Sequence, residues 1–97
     1  MSRKDVRITS DDGQVDKAEV KINRELNEEV VWFSHDGKSA IIVFASPDGS
    51  PFQETHFQVP AGGSVSSGPA RHAKKKRYKY AVVGPTGVND PIIIIDP

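Results

Sequence analysis

Polar and apolar residues alternate along much of this chain with a period of two. In "AEVKIN" the apolar Ala18, Val20 and Ile22 fall on one side of an extended segment, and in "HFQVP" Phe57 and Val59 do the same. Elsewhere the runs are continuous and rich in β-branched and aromatic residues: Val30-Val31-Trp32-Phe33, Ala40-Ile41-Ile42-Val43-Phe44 and Ile92-Ile93-Ile94-Ile95. Turn-forming clusters separate them, namely Asp11-Asp12-Gly13, His35-Asp36-Gly37-Lys38, Pro47-Asp48-Gly49-Ser50, Ala61-Gly62-Gly63, Gly84-Pro85-Thr86-Gly87 and Asn89-Asp90-Pro91. Short strands between turns at this spacing predict an all-β chain, an antiparallel sandwich or barrel. Only Asp16 to Asn27 could pass for a helix, since "DKAEVKINRELNEE" is rich in helix formers. The apolar positions there fit period two rather than 3.6, so a strand followed by a charged loop is expected.

Two segments carry more information than a strand assignment. In "AKKKRYKY", residues 73–80, alternation puts Tyr78, Tyr80 and Val82 on one face and Lys75, Arg77 and Lys79 on the other. Burying the tyrosines leaves the three cations in a row outside, with the strand starting near Arg77. In "DPIIIIDP" both faces of the strand are apolar, Ile92 and Ile94 on one and Ile93 and Ile95 on the other. A sandwich strand needs only one buried face. The outer pair, assigned to Ile93 and Ile95, therefore needs a cover: the Ser64–Lys76 segment, or a second molecule. A flat, uncovered isoleucine strand would invite aggregation.

Composition narrows the classes. The 97 residues suit one domain over residues 1–97, and 27% charged with 36% hydrophobic residues describes a globular chain rather than a disordered one. Net charge is zero, yet residues 71–80 hold six of the thirteen basic side chains and no acid, which leaves the rest at a net of −6. The chain is a dipole. It contains no cysteine, hence no disulfide, no thiolate ligand and no thiol nucleophile. The N-terminal "MSRKDVRITSDDG" has no apolar run of signal-peptide kind, and the longest aliphatic run is the four isoleucines, so no membrane association and a cytoplasmic location are the simplest expectations.

The order of the pieces resembles the cupredoxin family. Members commonly show an i-x-V strand, a V-x-W/F strand, a strand ending in I-V-F, a V-P-x-G turn, a Y-x-Y/F strand and a closing I-x-V strand. The matching residues are Val20 with Ile22, Val30 with Trp32, Ile42-Val43-Phe44, Val59-Pro60-Ala61-Gly62, Tyr78-Lys79-Tyr80 and the isoleucine run, together spanning roughly residues 18 to 96. The resemblance implies a Greek-key β-sandwich or barrel of about seven or eight strands. It also implies where copper would sit, through a His₂Cys set with a weak axial ligand. Here the first histidine position falls at Ser39 or Ala40 and the cysteine position near Val82. The following loop, "GPTGVNDP", has neither His nor Met, and the sole methionine is Met1. Blue-copper electron transfer is therefore excluded, and no cofactor is expected.

Catalysis finds no foothold either. Ser34-His35-Asp36 contains the three residue types of a nucleophilic triad, but sequence neighbours at a strand-to-turn junction point in different directions. "AGGSVSSG" lacks the lysine and helix of a phosphate-binding loop, and the paired acids Asp11-Asp12 and Glu28-Glu29 fit solvated turns. His35, His56 and His72 show no i, i+2 or i, i+4 spacing; His35 and His56 are the candidates for a metal site assembled by folding. The expectation is a non-catalytic, metal-free interaction or structural domain. Its candidate contact residues are Lys75, Arg77, Lys79, Ile93 and Ile95, offered to an acidic protein partner or to a second copy. Polyanion or nucleic-acid binding through residues 71–79 is the alternative from another class, and histidine-based metal binding the third.

Overall fold

The alternating runs fold as strands, and the charged stretch after Ile22 closes in one tight turn. A computed structural model of the chain describes residues 3–44, 49–70, 74 and 76–96. Ten strands occur among them: β1 (Arg3–Arg7), β2 (Glu19–Ile22), β3 (Glu29–Phe33), β4 (Ala40–Val43), β5 (His56–Val59), β6 (Ser64–Ser66), β7 (Arg77–Lys79), β8 (Ala81–Val83), β9 (Val88–Asn89) and β10 (Ile92–Ile95). The helix-forming residues of 23–28 make only a 3-10 turn, Arg24–Leu26. The Asn23 side chain caps it by accepting from the Glu25 amide at 2.9 Å, and Asn27 ends it in the left-handed region at φ 54°. The buried Glu28 carboxylate accepts from the Asn23 amide at 2.6 Å and ties the two ends together. Among the described residues no helix is long and apolar enough to cross a membrane.

The strands form three sheets, ordered β1-β3-β6, β2-β10-β7 and β5-β4-β8-β9, and they do not close into a barrel. Their inner faces share one core, in which Trp32, Phe44, Phe52, Phe57 and Tyr80 form a ring cluster with centroids 5.0 to 6.4 Å apart. Residues 77–83 cross from one sheet to another. β7 pairs with β10 and β8 with β4, with the Tyr80 amide donating to the Pro91 carbonyl at the crossing. Parity survives the crossing: Tyr78, Tyr80 and Val82 are all buried, as alternation requires.

Three strands lay outside the sequence reading. β1 has Val6 as its only apolar residue, β9 is two residues long, and β6 lies in the segment read as a loop. β6 pairs with β3, so its place is in a different sheet from the isoleucine strand it was expected to cover.

The isoleucine assignment is also corrected. Ile93 and Ile95 are fully buried, while Ile92 and Ile94 face outward and are half-buried. Register is the reason: Ile93 aligns with Val20 on β2 and with Tyr78 on β7, both members of the inward set. Burying an isoleucine contributes about 1.5–3 kcal/mol. Exposing both would cost about 3–6 kcal/mol, a substantial part of a small domain's net stability of ~5–15 kcal/mol. They hold the core and are not contact residues.

A basic sheet face and a closed pole

The outer face of the β2-β10-β7 sheet is built in two rows. Glu19, Ile92 and Lys79 lie side by side across the strands in one row, and Lys21, Ile94 and Arg77 in the next. Arg77 reaches diagonally over β10, and its Nη2 donates to Glu19 Oε2 at 3.0 Å. Lys21 Nζ stands 4.0 Å from Asp96 Oδ2. The half-buried isoleucines thus sit between long charged side chains, whose hydrocarbon stems flank them while their heads stay in water. These heads are open to solvent, with the Arg77, Glu19 and Lys21 side chains 62%, 54% and 68% exposed.

Arg77 and Lys79 stand outward as alternation predicts; Lys75 lies outside the described residues, as do Arg71 and His72. Tyr78 is buried, and its hydroxyl donates to the Lys74 carbonyl at 3.3 Å, which anchors the approach to β7. The Lys76 ammonium lies 5.2 Å from the Tyr78 ring centroid. Neither tyrosine offers a face for base stacking. Lys21 and Glu19 escaped the sequence reading because a parallel pairing with β10, some seventy residues away, brings them to this face.

The histidines stay apart. His35 and Lys38 bridge across a turn beyond the Ala40 end of β4, whereas His56 pairs with Val43 at its other end, so roughly 10 Å of strand separates them. The His56 ring Nδ1 shares a hydrogen bond with Thr55 Oγ1 at 2.9 Å. His35 turns to Asp11 rather than to Ser34 or Asp36, with Nε2 3.8 Å from Asp11 Oδ1. Lys38 Nζ donates to Asp11 Oδ2 at 2.7 Å; that hydrogen bond and the carboxylate's charge raise the Lys38 pKa. Among the described residues no three His, Cys, Asp or Glu side chains come together in a way that could hold a metal ion.

The Asp11 turn belongs to one pole of the sandwich. The Thr86 amide donates to the Asp11 carbonyl at 3.0 Å, and a Cβ on Gly84 would stand 2.3 Å from that same oxygen. β4 and β8 pair so that Ala40 lies next to Gly84, which brings the Ser39–Ala40 and Val82 positions to this pole.

No family model and no curated protein matches the chain. Among solved structures, a purple cupredoxin from Nitrosopumilus maritimus is similar over 96% of this chain and 99% of its own, with a TM-score of 0.65 and 15% sequence identity. The chain has the cupredoxin fold. At the pole where the family resemblance places copper, Ala40 and Val82 are buried core residues, and the loop from Gly84 is packed under the Asp11 turn. Those residues do not fit a blue-copper ion: they include no thiolate or thioether, and the His35 imidazole nearby faces Asp11. Ala40 and Val82 belong to the hydrocarbon core beneath that pole.

One other surface departs from the usual polar exterior. On the outer face of the four-stranded sheet, Gln58, Ile41, Val83 and Val88 align in one row across the strands. Ile41 and Val88 are 45% and 60% exposed.

Proposed function

We propose that this chain is a non-catalytic, metal-free interaction module on a cupredoxin fold, which holds an acidic protein segment against Lys21, Arg77 and Lys79. The observation that carries the reading is the outer face of the β2-β10-β7 sheet. Three cations from two strands project there around half-buried isoleucines, on a chain whose remainder outside residues 71–80 has a net charge of −6. Opposite charge at such a face raises association rate and fixes orientation. The burial of Tyr78 and Tyr80 favours a protein over single-stranded nucleic acid, which binds through stacked aromatics as well as cations.

The test is a triple reversal, Lys21→Glu, Arg77→Glu and Lys79→Glu. An extended glutamate-rich peptide at 20 mM salt serves as the probe, and far-UV dichroism and Trp32 fluorescence report on the fold. Binding should fall at least tenfold with the fold retained, since each exposed pair contributes about 0.2–1 kcal/mol and reversal replaces attraction with repulsion. Unchanged binding by the reversed chain would sink the reading.

A further inference from the structure

Basic residues on β7 are only half of what that strand presents. β7 is the last strand of its sheet, paired with β10 on one side alone. Hydrogen bonds toward β10 fall on alternate residues: the Ile95 amide donates to the Lys76 carbonyl, Tyr78 aligns with Ile93, and the Tyr80 amide donates to the Pro91 carbonyl. In an antiparallel ladder the intervening residues turn their main-chain groups the other way. The amides and carbonyls of Arg77 and Lys79 therefore face outward from the sheet edge, and no hydrogen bond among the described residues takes them up.

We infer that β7 is a receptive edge to which an acidic extended segment adds as a strand, main chain bonded to Arg77 and Lys79 and carboxylates set beside their side chains. The inference rests on the basic-face reading and names the mode of binding. Its logic is that the same two residues carry both main-chain groups left unpaired among the described residues and outward cations, Arg77's being shared with Glu19. On an added strand, the side chains directly opposite Arg77 and Lys79 stand about 4.5–5.5 Å away between Cβ atoms, close enough for charge to decide pairing. An acidic-x-acidic pattern meets two cations there.

The same spacing argues against a second copy. Two β7 strands paired antiparallel about Tyr78 would place Arg77 opposite Lys79 twice, and like charges directly opposite are destabilising. Charged edges ordinarily refuse strands altogether. This edge refuses neutral and basic strands and its own kind, and selects for carboxylates; the recognition mode is strand addition, in which main-chain bonds give affinity and side chains give specificity.

The test uses the full chain, ¹⁵N-labelled, and an eight-residue peptide of alternating Glu and Thr with blocked ends. Two variants carry N-methyl groups on either all Glu or all Thr amides. Addition as a strand uses only one of these sets, so one methylated peptide should bind at least tenfold more weakly and the other like the parent. Loss on methylating Glu reports an antiparallel strand, and loss on methylating Thr a parallel one. In the productive complex the Arg77 and Lys79 amides should gain protection from solvent exchange. Equal binding by all three peptides, or equal loss with both methylated ones, overturns strand addition while leaving the acidic-partner reading in place. Absence of binding by the parent peptide at 20 mM salt overturns both. Concentration-dependent shifts of the Arg77 and Lys79 amides without peptide would make the occupant a second copy and overturn the inference.

Discussion

Tyr80 sits where the chain passes between sheets and holds the core together at that point. Its hydroxyl accepts from Trp32 Nε1 at 3.2 Å, both groups are buried, and its ring stacks on Phe44 at 5.0 Å. Burial pushes the Tyr80 phenol up to about 12, with the Trp32 hydrogen bond acting in the opposite direction. The consequence for stability has a definite sign. Below about pH 10 the phenol is protonated in both folded and unfolded chains, so it adds no pH dependence. As pH rises toward the folded value, the unfolded chain releases the proton first and stability falls, by up to roughly 2–3 kcal/mol. Urea unfolding at pH 8 and pH 11 should show this loss, and Tyr80→Phe should reduce it. At neutral pH the same substitution leaves the indole N–H unpaired in the core and should cost about 1–3 kcal/mol. The inward placement of Tyr80 was legible from alternation alone. Its partner Trp32 was not, because forty-eight residues separate them and only the packing of β3 against the 77–83 segment brings them together.

At the scale of elements, one close fit in the molecule is between two turns. The Asp11–Gly13 turn and the Gly84–Gly87 loop are both readable as turns from their residues. Their contact is a property of the pole they share. An added Cβ at Gly84 meets the Asp11 carbonyl at 2.3 Å, a backbone atom that cannot move without shifting the turn. Gly84→Ala should therefore destabilise the chain by roughly 1–3 kcal/mol through overpacking, although the Gly84 φ lies outside the left-handed region. Gly49→Ala is the control: φ there is +73° but nothing stands within 4 Å, so only the left-handed backbone penalty of about 1–2 kcal/mol applies. Thermal melts of the two variants should separate steric from conformational cost, with Gly84→Ala also increasing hydrogen exchange at the Thr86 amide that bonds Asp11.

For the whole molecule the decisive feature is where charge lies relative to sheet edges. The Arg77–Glu19 pair spans β10 on the exterior, and an exposed pair of this kind contributes about 0–1 kcal/mol to stability. Its larger effect is on the field of the face, where Glu19 stands beside Arg77 as Asp96 stands beside Lys21. Glu19→Gln should leave the melting temperature nearly unchanged and tighten binding of the glutamate-rich peptide several-fold, with a steeper loss of affinity as salt is raised. A melting temperature lowered by many degrees would instead mean that the pair is part of the structural cover over Ile92 and Ile94. At the pole, Ala40 and Val82 are part of the apolar core of the cupredoxin fold.

What the chain determined by itself was local. Alternation set the faces of Val20, Ile22, Phe57, Val59, Tyr78 and Tyr80, because a strand's side-chain period of two needs no knowledge of its neighbours. The absence of cysteine, and of histidine or methionine at the ligand positions, spoke against a blue-copper site before any fold was known. Parity in "IIII" could not be read that way: four identical residues carry no difference between faces, and only the register of β10 against Val20 and Tyr78 chose Ile93 and Ile95 for the core. The same holds for β1 and β6, whose few apolar residues become strands by pairing with β3, and for Lys21 and Glu19, which reach the basic face through a parallel pairing. Hydrogen-bond register between distant strands is a tertiary property, and it placed every residue of the candidate face that alternation had missed.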